Sequence, residues 1–143
     1  MEAQTITINY FAVATGAVIS MIIGGIWYGP IFGKKWLEII GANNLSIEER
    51  KKMQKSAGPL YLVQFILTLF QILVLAHLVV DSNRVGGLER AIWIWGAFVI
   101  PTLAGAVMWT NDKPKMKWSR LLIQGGYQLT MFLIYGMLLQ FWK

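Results

Sequence analysis

The sequence has no cysteine and a single histidine, and only 14% of its 143 residues are charged. Without a thiol there is no disulfide, no thiolate metal site and no thiol redox chemistry. One imidazole cannot supply the paired axial ligands of a membrane haem. An ordinary soluble domain carries about 25% charged and roughly 45–50% apolar residues, whereas the apolar share here is 56%. So few charges cannot cover a soluble surface. A soluble enzyme, a nucleic-acid-binding domain and a disordered tail are all excluded on that ground.

What is present is four apolar runs, at about residues 6–28, 60–80, 91–110 and 121–142. Each is long enough, as a helix, to cross a hydrocarbon core of roughly 30 Å. The runs are continuously apolar rather than alternating, which favours helices over the strands of a β-barrel. The expected fold is therefore an all-α membrane protein. It is a single four-helix transmembrane domain over residues 1–143, with short interfacial or cytoplasmic helices in the connection 29–59. Met1-Glu2-Ala3-Gln4 has no basic residue, so the first run reads as a retained helix rather than a signal peptide.

The net charge is +6, and the basic residues are unevenly placed. Six lie between runs one and two (Lys34, Lys35, Arg50, Lys51, Lys52, Lys55) and four between runs three and four (Lys113, Lys115, Lys117, Arg120). The opposite side has Arg84, Arg90 and Lys143. Ten against three puts the two basic connections in the cytoplasm and both termini outside, in a multi-pass protein of the cell membrane. Aromatics follow the same division. Trp27, Tyr28, Tyr61, Trp109 and Trp118 fall at inner ends, and Tyr10, Trp93, Trp95 and Trp142 at outer ends, as interfacial belts do.

Within the first connection, Gly29-Pro30 ends the first helix. Phe32, Trp36 and Ile39 or Ile40 then share one face of a short interfacial helix beside Lys34 and Lys35. Gly41-Ala42-Asn43-Asn44 breaks it. Ser46-Ile47-Glu48-Glu49 has the pattern of a capping box, Glu48 is spaced to pair with Lys52, and Gly58-Pro59 stops the second short helix. Trp27 and Trp36 are separated by the same interval as Trp109 and Trp118, which raises the possibility of a parallel two-plus-two repeat.

No Asp, Glu, Lys or Arg falls inside any of the four runs. Proton-coupled transport and intramembrane hydrolysis need an ionisable group at membrane depth, so both are disfavoured. No catalytic residue, metal ligand or cofactor is expected. The interior polarity is neutral: Gln64, Thr68 and Gln71 form one stripe, and Gln124, Gln128, Met131 and Tyr135 another. An amide in hydrocarbon is costly unless paired, so these stripes either bond helices together or line a polar cavity. At 1.5 Å per residue Gln71 and Gln128 lie ~16 and ~12 Å from the inner boundary, and these two amides are expected to face protein. Ala12, Gly16, Ser20 and Gly24, at four-residue spacing, form a small-residue stripe for close helix packing. Pro101 is expected to kink the third span. His77 reads as an interfacial residue and Asn9 as a cap or headgroup contact.

Gly24-Gly25-Ile26-Trp27-Tyr28-Gly29-Pro30-Ile31-Phe32-Gly33-Lys34-Lys35-Trp36 resembles the end of the first helix in the bacterial domain of unknown function 1761 family. Phe98-Val99-Ile100-Pro101-Thr102 resembles that family's third span, and Gly126-Tyr127-Gln128-Leu129 with Gly136 and Trp142 its last helix. The resemblance implies four spans and a membrane location, and implies no activity. Two functions follow as expectations. One is a non-enzymatic membrane protein that acts by packing with itself or another membrane protein. The other is an oligomeric channel or carrier for a neutral or weakly polar solute. Membrane lipids are expected partners in either case, and nucleic acid in neither.

Overall fold

Asn9 opens the first helix: its side-chain oxygen accepts from the N–H groups of Phe11 and Ala12, at 3.0 and 3.1 Å. This satisfies two of the donors that a helix start leaves unpaired. The protein is described here from a computed structural model covering residues 7–80 and 86–142. Readings that involve residues 1–6, Arg84 and Lys143 lie outside the described residues.

Helix α1 (Tyr10–Ile26) does not end at Gly29-Pro30, as the sequence predicts. It runs into a π turn, Trp27–Ile31, that contains Pro30. Proline has no N–H to give the carbonyl four residues back, and its ring crowds that carbonyl. The backbone widens instead of stopping, and the Phe32 N–H reaches five residues back to the Trp27 carbonyl at 2.9 Å. Span one is therefore Tyr10–Ile31. A similar event occurs in span three, Gly87–Met108. There α5 (Gly87–Ile94) passes through the π turn Trp95–Val99 into α6 (Ile100–Met108). Pro101 comes two residues after that turn ends, and the Thr102 hydroxyl donates to the Phe98 carbonyl at 2.6 Å. The expected proline disturbance thus takes the form of a π turn on the N-terminal side of Pro101.

The connection holds α2 (Gly33–Ile39) and α3 (Ile47–Ser56). In α2 it is Ile39 that is buried while Ile40 is exposed, and Phe32 and Trp36 are half-buried. Gly41, at φ +73°, turns the chain away. The capping box forms at Ser46: its hydroxyl accepts from the Glu49 N–H at 3.2 Å, and the Glu49 carboxylate accepts from the Ser46 N–H at 2.7 Å. The Ser46 backbone N–H donating to the carboxylate, and then the Ser46 hydroxyl beside it, hold the Glu49 carboxyl below its ordinary value. The expected Glu48–Lys52 pair does not form. The ion pairs among the described residues are Lys35–Glu38 and Arg120–Asp112, each at 2.9 Å. Glu48 and Lys52 are both exposed, where such a pair contributes only a few tenths of a kcal/mol.

Span two is α4 (Gly58–Val80) and span four is α7 (Pro114–Phe141). The helices overrun the apolar runs, so Glu89, Arg90, Lys115, Lys117 and Arg120 fall within the first two turns of spans three and four. Hydropathy registers the stretch suited to hydrocarbon, whereas backbone hydrogen bonding continues past it. The 28 residues of α7 extend about 42 Å, beyond a core of roughly 30 Å.

Span four packs against all three other spans and against α2. The main core lies in the half remote from the two basic connections. It joins Ala12, Val13 and Ala17 of span one with Ile72, Leu75, Ala76 and Val79 of span two, Ala91 of span three, and Met131, Phe132, Tyr135 and Leu139 of span four. Spans three and four meet there backbone to backbone at Gly87 and Gly136. Next to them the Gln140 side-chain oxygen accepts from the Leu88 N–H at 3.3 Å, pairing a free donor at the start of α5. The Arg90 guanidinium donates to the Leu78 carbonyl and ties span three to span two at the same end.

A methyl group on Gly136 would lie 2.8 Å from the Gly87 carbonyl oxygen and 2.9 Å from the Leu88 Cα. These atoms are backbone and cannot move aside cheaply. A methyl on Gly25 would meet nothing within 4 Å. We expect Gly136→Ala to lower stability by about 1–3 kcal/mol, and Gly25→Ala to stay within about 0.5 kcal/mol of the parent. Equilibrium unfolding in mixed micelles measures both; equal losses would contradict the backbone contact.

Candidate functional site

The small-residue stripe of span one is used inside the bundle. Ala12, Gly16 and Ser20 are buried. A Cβ on Gly16 would lie 3.1 Å from Ile72 of span two and 3.6 Å from Tyr135 of span four, and one on Gly24 3.2 Å from the Tyr127 hydroxyl. The polar atoms at this seam pair with one another. The Ser20 hydroxyl donates to the Gly16 carbonyl at 2.8 Å and accepts from the Tyr135 hydroxyl, while Tyr127 donates to the Ser20 carbonyl at 2.8 Å. Tyr135 is therefore a fully buried bonding residue, not a lining residue.

Two indoles hold spans one and three onto span four, Trp27 towards the end that carries the basic connections and Trp95, expected at the outer end, close to the middle of span three. Trp27 donates from Nε1 to the Ile123 carbonyl at 3.0 Å, and Trp95 to the Gly125 carbonyl at 3.2 Å. Each tryptophan is the first residue of a π turn. The adjoining glycine pair makes room: a Cβ on Gly126 would touch the Trp27 ring at 3.2 Å, and one on Gly125 the Ile100 side chain at 2.9 Å. Arg120 completes this end, with its guanidinium donating to Asp112 and to the carbonyl of Ile39. It joins the second basic connection to α2.

Span two has no such fastening in this half. Its buried residues begin at Thr68 and continue to Val79, and it meets span three mainly through Gly87–Ile94, at the far end. Between the loose half of span two and the other three spans lies a cleft of about 610 Å³. Gln64 and Tyr61 line it from span two; Ser20, Gly24 and Tyr28 from span one; Gln124, Tyr127 and Gln128 from span four; and Leu103 from span three. The connection adds Trp36 and Gln54. No Asp, Glu, Lys, Arg or His is among the lining residues.

The structure thus brings together Gln64, Gln124 and Gln128. The Gln64 amide donates to Thr68 at 3.3 Å, but Thr68 is buried beside the cleft and does not line it. Gln71, half-buried, also stays outside. The amides of Gln71, Gln124 and Gln128 have no hydrogen-bond partner among the described residues, so Gln71 and Gln128, expected to face protein, are half-buried without the bond to a neighbouring helix that their depth suggested. The interfacial aromatics divide in the same way. Tyr28 and Trp36 line the cleft, with ring centres 4.8 Å apart, whereas Trp109 and Trp118 are 87% and 66% exposed. The Trp27/Trp36 and Trp109/Trp118 pairs therefore play unlike parts, and the residue that mirrors Trp27 is Trp95. His77 is exposed and its Nδ1 pairs with the Leu73 carbonyl of its own helix at 2.8 Å. Tyr127, Gln54, Met21 and Leu103 are lining residues that stripe analysis does not find. Tyr127 sits in the Gly-Tyr-Gln element, where flanking glycines and an adjoining glutamine were the available signal.

A membrane hydrogen bond contributes about 0.6 kcal/mol on average. Trp27→Phe should therefore unfold at nearly the parent's denaturant concentration. We expect it to raise hydrogen exchange near Ile123–Tyr127 and to leave the Met131–Leu139 segment protected. Equal protection in both segments would remove Trp27 as the fastening of this half.

The family described as "Protein of unknown function (DUF1761)" matches residues 11–140, nearly the whole chain. No curated protein and no solved structure matches. With four helices long and apolar enough to cross a membrane and a family match from Phe11 to Gln140, the chain belongs to the DUF1761 family of proteins of unknown function.

Proposed function

We propose that this protein is a non-enzymatic, multi-pass protein of the cell membrane that binds a small uncharged molecule in the cleft and carries it across or within the bilayer. The basic connections then face the cytoplasm, both termini face outside, and anionic headgroups surround the ten basic residues. The carrying observation is the convergence of Gln64, Gln124 and Gln128 on one cleft of about 610 Å³. Small-molecule sites span roughly 300–1,000 Å³ and combine apolar walls with a few convergent polar groups. An amide left without a partner in an apolar medium costs several kcal/mol, and a bound molecule with hydroxyl or amide groups would relieve that cost at Gln124 and Gln128.

Self-association is the second reading, and the exposed half of span two favours it, since a second copy would cover that helix. The small-residue stripe no longer argues for it, because those residues pack within one chain. An oligomeric carrier accommodates both.

A panel of uncharged molecules, from glycerol and urea to medium-chain alcohols and monoacylglycerols, tests the reading by thermal stabilisation of the detergent-purified protein. At least one member should bind saturably. Gln124→Leu combined with Gln128→Leu should weaken that binding by roughly tenfold or more, while Gln71→Leu should leave it unchanged. Binding indifferent to the double substitution, or none at all, would defeat the proposal.

A further inference from the structure

Resting on that reading of the cleft, we infer that its ligand is an uncharged single-chain amphiphile of the bilayer, which enters sideways between the basic-end halves of spans two and three. The open side of the cleft is the first observation. From Leu60 to Leu67, two full helical turns, every residue is exposed except Phe65, which is half-buried. Two turns sample every direction around a helix, so this part of span two has no close neighbour on most of its circumference. Span three, opposite, contributes Leu103 to the cleft and packs on span two only towards the other end. The gap between them faces lipid, and its rims are mainly apolar.

The chemistry of the lining selects the ligand. A hydrocarbon tail alone would leave the Gln124 and Gln128 amides without partners, at several kcal/mol each in an apolar medium. A charged head would enter a space with no acidic, basic or imidazole side chain to balance it, and an unpaired charge at that depth is costlier still. A head with hydroxyl or amide groups satisfies the glutamines and leaves no charge unbalanced. The rings of Tyr28, Trp36 and Tyr127 suit the junction between head and tail, because each presents both an apolar face and a polar edge. The tail continues through the gap into the leaflet on the basic side. A solute arriving from water would gain nothing from that apolar opening.

The test uses the full-length protein in liposomes, with a monoacylglycerol whose tail carries a photoreactive diazirine. Saturable labelling is expected at Met21, Tyr61 or Leu103. Unlabelled monooleoylglycerol should compete, at least tenfold better than glycerol and than oleoyl lysophosphatidate, which has a comparable tail and a charged head. Gly25→Phe adds bulk at a lining position where a Cβ meets nothing within 4 Å, and thermal unfolding close to the parent's checks that it folds. It should reduce labelling at least tenfold, whereas Gln71→Leu should not. If glycerol competes as well as the amphiphile, sideways entry is wrong and the cleft remains a site for a water-borne solute. If lysophosphatidate competes equally, the uncharged class is wrong. Labelling that never saturates means surrounding lipid only, and overturns the reading of the cleft as a site altogether.

Discussion

Where Gly87 of span three lies on Gly136 of span four, a Cβ on either residue would come within 2.8 Å of the other's carbonyl oxygen. Backbone contact of this kind is open only to glycine, and the remaining packing is arranged around it. Lipid tails are as apolar as leucine, so helices in a bilayer gain little by hiding apolar surface from them and associate by close van der Waals fit. Span four offers that fit along its length: Gly136 to span three, Gly125 and Gly126 to Ile100 and Trp27, and Tyr127 to Gly24 of span one. It is the element on which the others are hung. The polar atoms at these seams are paired across them, as they must be where water is absent.

Span two is held differently, and the cleft is the consequence. From Thr68 to Val79 one face is packed into the core; from Leu60 to Leu67 every residue is exposed but Phe65, which packs against that core. No glycine contact or indole hydrogen bond reaches it in that half. A four-helix bundle with one helix fastened at a single end has a wedge-shaped opening, and here the opening contains three glutamines. Two π turns border the opening, Trp27–Ile31 at the basic end of span one and Trp95–Val99 in the middle of span three. π turns recur at functional sites because they re-aim side chains within an otherwise regular helix. In this case they aim Trp27 and Trp95 at span four and leave Tyr28 facing the cleft.

Fold class was readable in the sequence because it depends on length and polarity, which are local. The Asn9 cap and the Ser46–Glu49 box were readable for the same reason: their partners lie within three residues. Pairings between spans were harder. The i, i+4, i+7 stripe of Gln64, Thr68 and Gln71 is a true face of the helix, yet the helix passes from open cleft to packed core along that face. One stripe therefore includes a lining residue, a buried bonding residue and an outsider. The stripe Ala12, Gly16, Ser20, Gly24 was visible as a packing face, but periodicity does not say what packs there. Pro30 read as a stop because the cheaper response, a π turn, depends on Trp27 finding the Ile123 carbonyl 96 positions away.

Separation of the basic-end halves of spans two and three is the claim on which the cleft, its open side and its ligand all rest. Spin labels on exposed residues measure it directly in lipid by double electron–electron resonance. One pair, at Val63 and Ala106, reports the basic end, and another, at Leu78 and Ile92, reports the opposite end. The first distance should be clearly the longer of the two and should shift when monoacylglycerol is added. Equal distances at the two ends, unmoved by any addition, would mean a closed bundle with no cleft.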